Sequence, residues 1–335
     1  MNTAAPNSSE KNIDSIRSLL IDYAQSQERK VVEQYCAKLD SILTDLRSAG
    51  FCTRELENHL IAALKDKKNG NYINRACELS AAGYFMTNFP TGFKYQVENM
   101  DSAPSRGDGS PKDFDFSFVA DEYVFNVEVK TFALKPLNNE TPPIKSFLPP
   151  SQTKAMYNQG MRVSQNCAPA IGRFLKDANT QLVRPDGGLS VVLLCCNDLD
   201  EYADALTCFV SPHGICHKTA NGELVPSPTD LPNIDAVVIC NLGFNHSAVV
   251  DLKRYRDFFR DENENIPDGA APWNYALALP VGFCLRQESR AESLLKAFMT
   301  AFRSHSFSIS NLMDKNGGDV QQAVFDLFNS AINTR

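Results

Sequence analysis

Two residue types that do phosphate chemistry stand close together in the segment KDFDFSFVADEYVFNVEVKTF, as Asp115, Glu128 and Lys130. Carboxylates held side by side bind hard divalent cations through oxygen. Mg2+ takes one or two of them and completes its shell with waters and phosphate oxygens. A cation held there polarises a phosphoryl group and acidifies a bound water, and a lysine beside it stabilises the charge that develops during attack. The chemistry that suits this set is metal-assisted hydrolysis of a phosphate ester. An acid-x-Lys triplet alone says little, because the chain holds four: Glu28/Lys30, Asp66/Lys68, Glu128/Lys130 and Asp251/Lys253. Only Glu128/Lys130 falls in a strand pattern, where residues two apart share a face; the others lie in helical or polar stretches, where they do not.

The elements that must position these side chains are a hairpin and the helix before it. In DFDFSFV the phenylalanines alternate with Asp113, Asp115 and Ser117, the period of a half-buried strand. ADE makes a tight connection into a second strand, YVFNVEVKTF, with Glu128 and Lys130 on one face and Val127 and Val129 on the other. The pairing brings Asp115 and Glu128 across neighbouring strands, about 5 Å apart. Asp113 points the same way as Asp115 and is an alternative ligand. Upstream, NYINRACELSAAGYFMTNF reads as a helix that buries Ile73, Cys77, Ala81 and Tyr84 and stops before Pro90. YQVENM follows as a short strand.

Outside this core, residues 1–12 read as a disordered tail and 13–70 as a helical N-terminal subdomain, with Ile16, Leu19, Leu20 and Tyr23, then Val32, Tyr35, Leu39, Ile42 and Leu46, at helical spacing. Gly50 ends one helix and Thr53 caps the next, with Glu55 and Glu57 in its first turn. The polar run KDKKNGN marks the boundary to an α/β domain over 71–335, whose core covers about 72–245 and whose C-terminal elaboration covers 246–335. Past a proline-containing loop, Ser151 is expected to cap a helix of about 25–30 residues. Three strand-like runs follow, LSVVLLCCN, IDAVVICNL and NYALALPVGF, with FVSPHGICHKTANGELV as a hairpin between the first two and helix again from Glu288. The order helix, three strands, helix, strand implies an α/β fold, a central mixed sheet flanked by helices.

With its hairpin and preceding helix, the segment from about Tyr72 to Asn197 resembles the PD-(D/E)XK nuclease superfamily, whose core is the restriction-endonuclease-like fold. The pattern there is an acid at the start of a second strand, then Glu or Asp, any residue and Lys on the third. Here the first acid falls on Asp115, thirteen residues before Glu128. The literal Pro-Asp is absent, since Pro111 lies two residues before Asp113. The resemblance implies Mg2+- or Mn2+-dependent hydrolysis of phosphodiesters, in DNA more often than RNA. It places the cation on Asp115, Glu128 and the carbonyl of Val129, and gives Lys130 the attacking water. Glu78 matches a glutamate that many members carry on the preceding helix, and would hold a second cation or its waters. Gln152, Lys154 and Tyr157, on the helix after the third strand, are candidate substrate contacts. The resemblance also admits a rival: a member that keeps the fold and binds nucleic acid or a protein partner without cleaving.

Composition limits the alternatives. Hydrophobic residues make up 43% and charged residues 22%, as in a globular protein with a real core. No apolar run is long enough to span a bilayer, so no membrane association is expected. The polar N-terminus lacks the apolar core of an export signal. With ten cysteines, several inside apolar runs, that implies reduced thiols and a cytoplasmic location. A net charge of −7 argues against coating nucleic acid through bulk positive charge, but leaves room for local phosphate contacts. Cys208, His213, Cys216 and His217 lie close together, but without a CxxC and across an SPHG turn a plain hairpin is the better reading than zinc. Lys253, Arg254, Arg256 and Arg260 alternate with acids, as on a solvated helix face. Neither a GxGxxG nor a P-loop motif occurs. A homodimer would suit cutting of both strands of a duplex, though no interface is legible.

Overall fold

The computed structural model describes residues 8–23, 29–66, 69–98, 113–132, 168–197, 231–240, 281–284 and 292–302, with a few shorter stretches between 201 and 246. Four helices come first: α1 (Ser8–Tyr23), α2 (Arg29–Ser48), α3 (Arg54–Lys65) and α4 (Asn69–Asn88). Strands β1 (Lys94–Glu98), β2 (Asp113–Ala120) and β3 (Tyr123–Phe132) follow, then helix α5 (Ala168–Gln181) and strand β4 (Leu189–Cys196). The short β5 (His217–Lys218) and β6 (Leu224–Val225) form their own antiparallel ladder, the described part of the expected hairpin. Strands β7 (Ala236–Cys240) and β8 (Val281–Cys284) and helix α6 (Glu292–Ala301) complete the order.

The central sheet is six-stranded and mixed, in the order β1-β2-β3-β4-β7-β8. Strands β1 to β3 form an antiparallel meander, β3, β4 and β7 run parallel, and β8 returns antiparallel. This is the expected α/β architecture. A parallel neighbour requires a crossover, and α5 lies in the one between β3 and β4. The strands buried on both faces read as continuous apolar runs: β4 and β7 are buried at every position. Between β2 and β3, only Asp121 and Glu122 intervene, with φ of 47° and 66°. Such paired positive φ values belong to the two-residue turn whose twist matches the flanking strands.

One sheet face carries Phe116, Phe118, Phe125 and Val127 and packs against α4 and α6, with α1 to α3 stacked outside α4. Phe85 of α4 stacks on Phe118 at 4.5 Å between ring centroids, and Phe118 stacks on Phe125 at 5.2 Å. Helix α4 is therefore an inner helix. Besides the expected Ile73, Cys77 and Ala81, it buries Tyr72, Ala76, Leu79, Ala82 and Phe85, while Tyr84 is only partly buried. Its Gly83 leaves room for α2: a β-carbon there would lie 2.8 Å from Ile42 Cγ2. The opposite face, with Glu128, Lys130, Val192 and Leu194, is covered by α5 through Ile171, Leu175 and Ala178.

Several sequence expectations change in detail. Helix α1 begins at Ser8, inside the stretch read as tail, and Asn12 within it donates to Glu57 Oε2 at 2.9 Å. Residues of the N-terminal helices share one hydrophobic cluster with the sheet: Ile16, Leu39 and Leu60 join Phe116, Val191 and Phe302. Thr53 occupies the N-cap of α3, but its hydroxyl donates to Glu57 Oε1 at 2.6 Å instead of capping backbone. The helix expected from Ser151 is described over Ala168–Gln181, and residues 151–167 lie outside the described residues. Cys77, Cys195 and Cys240 are buried free thiols, with 3.6 Å between the sulfurs of Cys195 and Cys240. Among the described residues no helix is long and apolar enough to cross a membrane.

Candidate active site

The hairpin ladder between β2 and β3 runs from Ala120–Tyr123 to Phe116–Val127. One step further, the same register sets Asp115 opposite Glu128. There the backbone pairing gives way to a side chain: the Val129 amide donates to Asp115 Oδ2 at 2.6 Å. On the other flank, β1 pairs Tyr95 with Phe116 and Val97 with Phe114, and the intervening Gln96 stands opposite Asp115 with φ of 52°. A left-handed backbone at a non-glycine residue costs of order 1–3 kcal/mol and tends to cluster at functional sites. Asp115 thus sits where both of its strand neighbours depart from regular pairing.

Glu128 is 2% exposed. Its Oε1 accepts from Lys130 Nζ at 2.5 Å, and its buried Oε2 has no hydrogen-bond partner among the described residues. Lys130 also donates to Gln181 Oε1 at 2.7 Å, and Gln181 Nε2 reaches the Asp113 carbonyl at 3.4 Å. The C-terminal end of α5 thereby ties the lysine to the start of β2. Glu78, on α4, is 4% exposed; Tyr95 donates to its Oε1 at 2.6 Å and Arg75 to its Oε2 at 2.7 Å.

Burial and mutual repulsion set the electrostatics. Asp115 as a residue is partly exposed, yet its carboxyl group is desolvated. That desolvation, followed by the charges of Glu128 and Glu78, holds it well above the usual carboxylate range against the Val129 amide and Lys130. Desolvation also raises Glu128, with Glu78 adding to it, and Lys130 only partly offsets the rise. Burial lifts the Tyr95 hydroxyl well above its ordinary value, and the neighbouring Glu78 lifts it further. For Arg75 burial pulls downward, but the carboxylates of Glu78 and Asp115 outweigh it and the guanidinium is held more firmly charged.

The structure therefore brings Asp115, Glu128, Lys130 and Glu78 into one electrostatic neighbourhood. Asp113 is exposed at the first residue of β2 and contributes its carbonyl to Gln181. Gln152, Lys154 and Tyr157 lie outside the described residues, as do Cys208, His213, Cys216, Lys253, Arg254, Arg256 and Arg260. Sequence reasoning missed Arg75, Tyr95, Gln96 and Gln181. Arg75 carried a signal in its three-residue spacing from Glu78, since such helical pairs face each other. Gln181 carried none, being 51 residues from the lysine that it holds.

Whether a cation fits can be judged from the donor set. Among the described residues no three His, Cys, Asp or Glu side chains stand together as a ready metal cluster. Mg2+ does not need one; two carboxylates with water and phosphate oxygens suffice. The buried Oε2 of Glu128, without a hydrogen-bond partner among the described residues, is an atom that such a cation would satisfy. The residues fit a two-carboxylate site, and both oxygens of the nearby Glu78 accept hydrogen bonds, from Tyr95 and Arg75. No protein-family model, curated protein or solved structure matches this chain.

Proposed function

We propose that this protein is a Mg2+- or Mn2+-dependent phosphodiesterase acting on nucleic acid, most simply DNA, in the manner of the PD-(D/E)XK nucleases on the restriction-endonuclease-like fold. The observation that carries the reading is the buried Glu128 carboxylate, one oxygen on Lys130 and the other without a hydrogen-bond partner among the described residues, next to a desolvated Asp115. Burying charge is costly unless it is paired or binds a cation. Here two cationic side chains, Arg75 and Lys130, face three carboxylates, Glu78, Asp115 and Glu128. With all three carboxylates ionised the set carries a single net negative charge, and a bound divalent cation would leave it singly positive, to match a phosphodiester.

In this reading Asp115 and Glu128 would hold the cation, with the Val129 carbonyl as a further ligand. When bound, the cation supplies Lewis-acid stabilisation of the phosphoryl and leaving oxygens and a more acidic water. Lys130, fixed by Glu128 and Gln181, orients the attacking water and stabilises charge on the phosphorus oxygens. Glu78, anchored by Tyr95, completes the negative wall around the cation. The order of helix α4, meander β1–β3, helix α5 and parallel β4 supports the fold-family reading. A role in restriction or defence against foreign DNA rests on family association alone.

One observation favours a second reading. Both Glu78 oxygens accept hydrogen bonds, from Tyr95 and Arg75, which would leave Glu78 no oxygen for a cation in a chain that binds nucleic acid or a protein partner without cleaving. A cleavage assay separates the two. Labelled single- and double-stranded DNA and RNA are incubated with Mg2+, Mn2+ or EDTA, using the native chain, Glu128→Ala and Lys130→Ala. The nuclease reading expects metal-dependent cleavage that falls by about 100-fold or more in each variant, as when a charge-stabilising group is removed. Cleavage that survives both substitutions places the activity elsewhere. Absence of cleavage together with absence of Mn2+ binding favours the binding protein.

A further inference from the structure

We infer that Arg75 is a substrate-binding residue, whose guanidinium takes a phosphate of the nucleic-acid backbone at the mouth of the Asp115–Glu128 site. The inference rests on the nuclease reading and adds to it a residue outside the acid-acid-lysine set.

Geometry singles Arg75 out. It lies on α4 one turn before Glu78, and its Nη1 donates to Glu78 Oε2 at 2.7 Å. Glu78 is itself held from the other side by Tyr95, so the anchor of the guanidinium is a fixed one. The Arg75 side chain is 42% exposed while that of its partner is 5% exposed, so the pair bridges the buried site and the solvent. A guanidinium has five N–H donors in a planar fork, and the bond to Glu78 uses one. Tyr95, which holds Glu78 from the other side, pairs with Phe116, the residue after Asp115, so the anchor of Arg75 is tied to the strand that carries the first carboxylate.

Chemistry then names the ligand class. Lys130, the other cation of the site, is committed to Glu128 and Gln181 inside the wall. Arg75 is the cation of this set at the rim. Arginine binds phosphate bidentately, and its charge persists at every working pH. In a chain with net charge −7, a phosphate-binding residue has to be local to the site rather than part of a broad basic surface. Holding the phosphate at Arg75 sets the scissile bond over Asp115 and Glu128 and makes part of substrate affinity dependent on salt.

The test uses the full chain in native form and as Arg75→Lys, Arg75→Gln and Arg75→Ala. Mn2+ binding is read by calorimetry, folding by thermal melts, and KM and kcat on labelled DNA in Mg2+ at several salt concentrations. Arg75→Ala is expected to raise KM by about tenfold or more, to change kcat less, and to lower the salt slope by about the share of one phosphate. Its Mn2+ affinity should hold or increase, because a competing cation has left Glu78. Arg75→Lys should recover part of the KM, and Arg75→Gln, which retains a donor for Glu78 without the charge, should not. An unchanged KM and salt slope in an Arg75→Ala chain that cleaves overturns the inference and leaves the nuclease reading standing. So does recovery of native KM by Arg75→Gln, which would reduce the arginine to a partner of Glu78. A native chain that neither binds Mn2+ nor cleaves overturns both.

Discussion

At the residue scale the site is defined by carboxyl groups that the fold makes reluctant to ionise. Asp115 and Glu128 are both held above the ordinary carboxylate range, first by burial. Folded protein keeps those protons to higher pH than unfolded chain does. Their contribution to stability is present below the usual carboxylate range and is lost as pH rises through the raised values. Cation binding must expel the protons, so affinity should increase with pH across the same window. Mn2+ calorimetry across a pH series, in buffers of different ionisation enthalpy, should show proton release on binding that shrinks as pH rises. The same metal should raise the melting temperature more at the alkaline end. Affinity that is flat with pH, without proton release, would show that the cation does not sit on these two groups.

At the element scale, positions with little side-chain chemistry hold the site strands together. Gly188 opens β4 next to β3, and a β-carbon there would lie 1.9 Å from the Val124 carbonyl oxygen. That neighbour is backbone in the hairpin and cannot swing aside. Gly188→Ala should therefore destabilise by more than about 2 kcal/mol, on the scale of severe backbone or packing strain. At Gly172, inside α5, such a carbon would meet nothing within 4 Å among the described residues beyond its own stretch of helix. Alanine there should be neutral or stabilising by about 0.5–1 kcal/mol, from helix propensity. Denaturant unfolding of the two variants checks the pair, and equal effects would contradict the close approach of β3 and β4. The bends at Gln96 and at the end of the β2–β3 ladder belong to this scale too. They free the surroundings of Asp115 from backbone pairing, a local departure from regular structure of the kind expected where function competes with regularity.

At the scale of the whole molecule the N-terminal helices belong to the same body as the sheet. One cluster runs from Ile16 of α1 through Phe85 of α4 to Phe116 and Val191 of the strands. A buried polar chain reinforces it: Tyr35 of α2 meets Tyr72 at 2.8 Å and His246 Nδ1 at 3.0 Å, while Ser80 meets His246 Nε2 at 2.9 Å. Burial pushes His246 down to about 3, so it is neutral in the fold and its network loses stability as pH falls below the ordinary histidine range. A chain lacking residues 1–66 would expose the outer face of α4. It should lose cooperative thermal unfolding and Mn2+ binding together, read by circular dichroism and calorimetry. A fragment that melts cooperatively and still binds Mn2+ would show that the first helices are a separable domain after all.

The sequence by itself determined the strands, the hairpin and the common facing of Asp115, Glu128 and Lys130, because a period of two and a two-residue turn are local properties of a chain. It also determined the α/β class, since the order of elements restricts how a sheet can be assembled. The extent of the N-terminal helices, the burial of α4 on nearly all sides and the joining of helices and sheet in one hydrophobic cluster were decided by packing between segments far apart in sequence. So was the inner wiring of the site. Gln181 meets Lys130 only because α5 folds back over β3, and Tyr95 meets Glu78 only because β1 lies against α4. Desolvation, which raises both Asp115 and Glu128, arises only when these layers close over the strands, so no spacing in the chain encodes it alone.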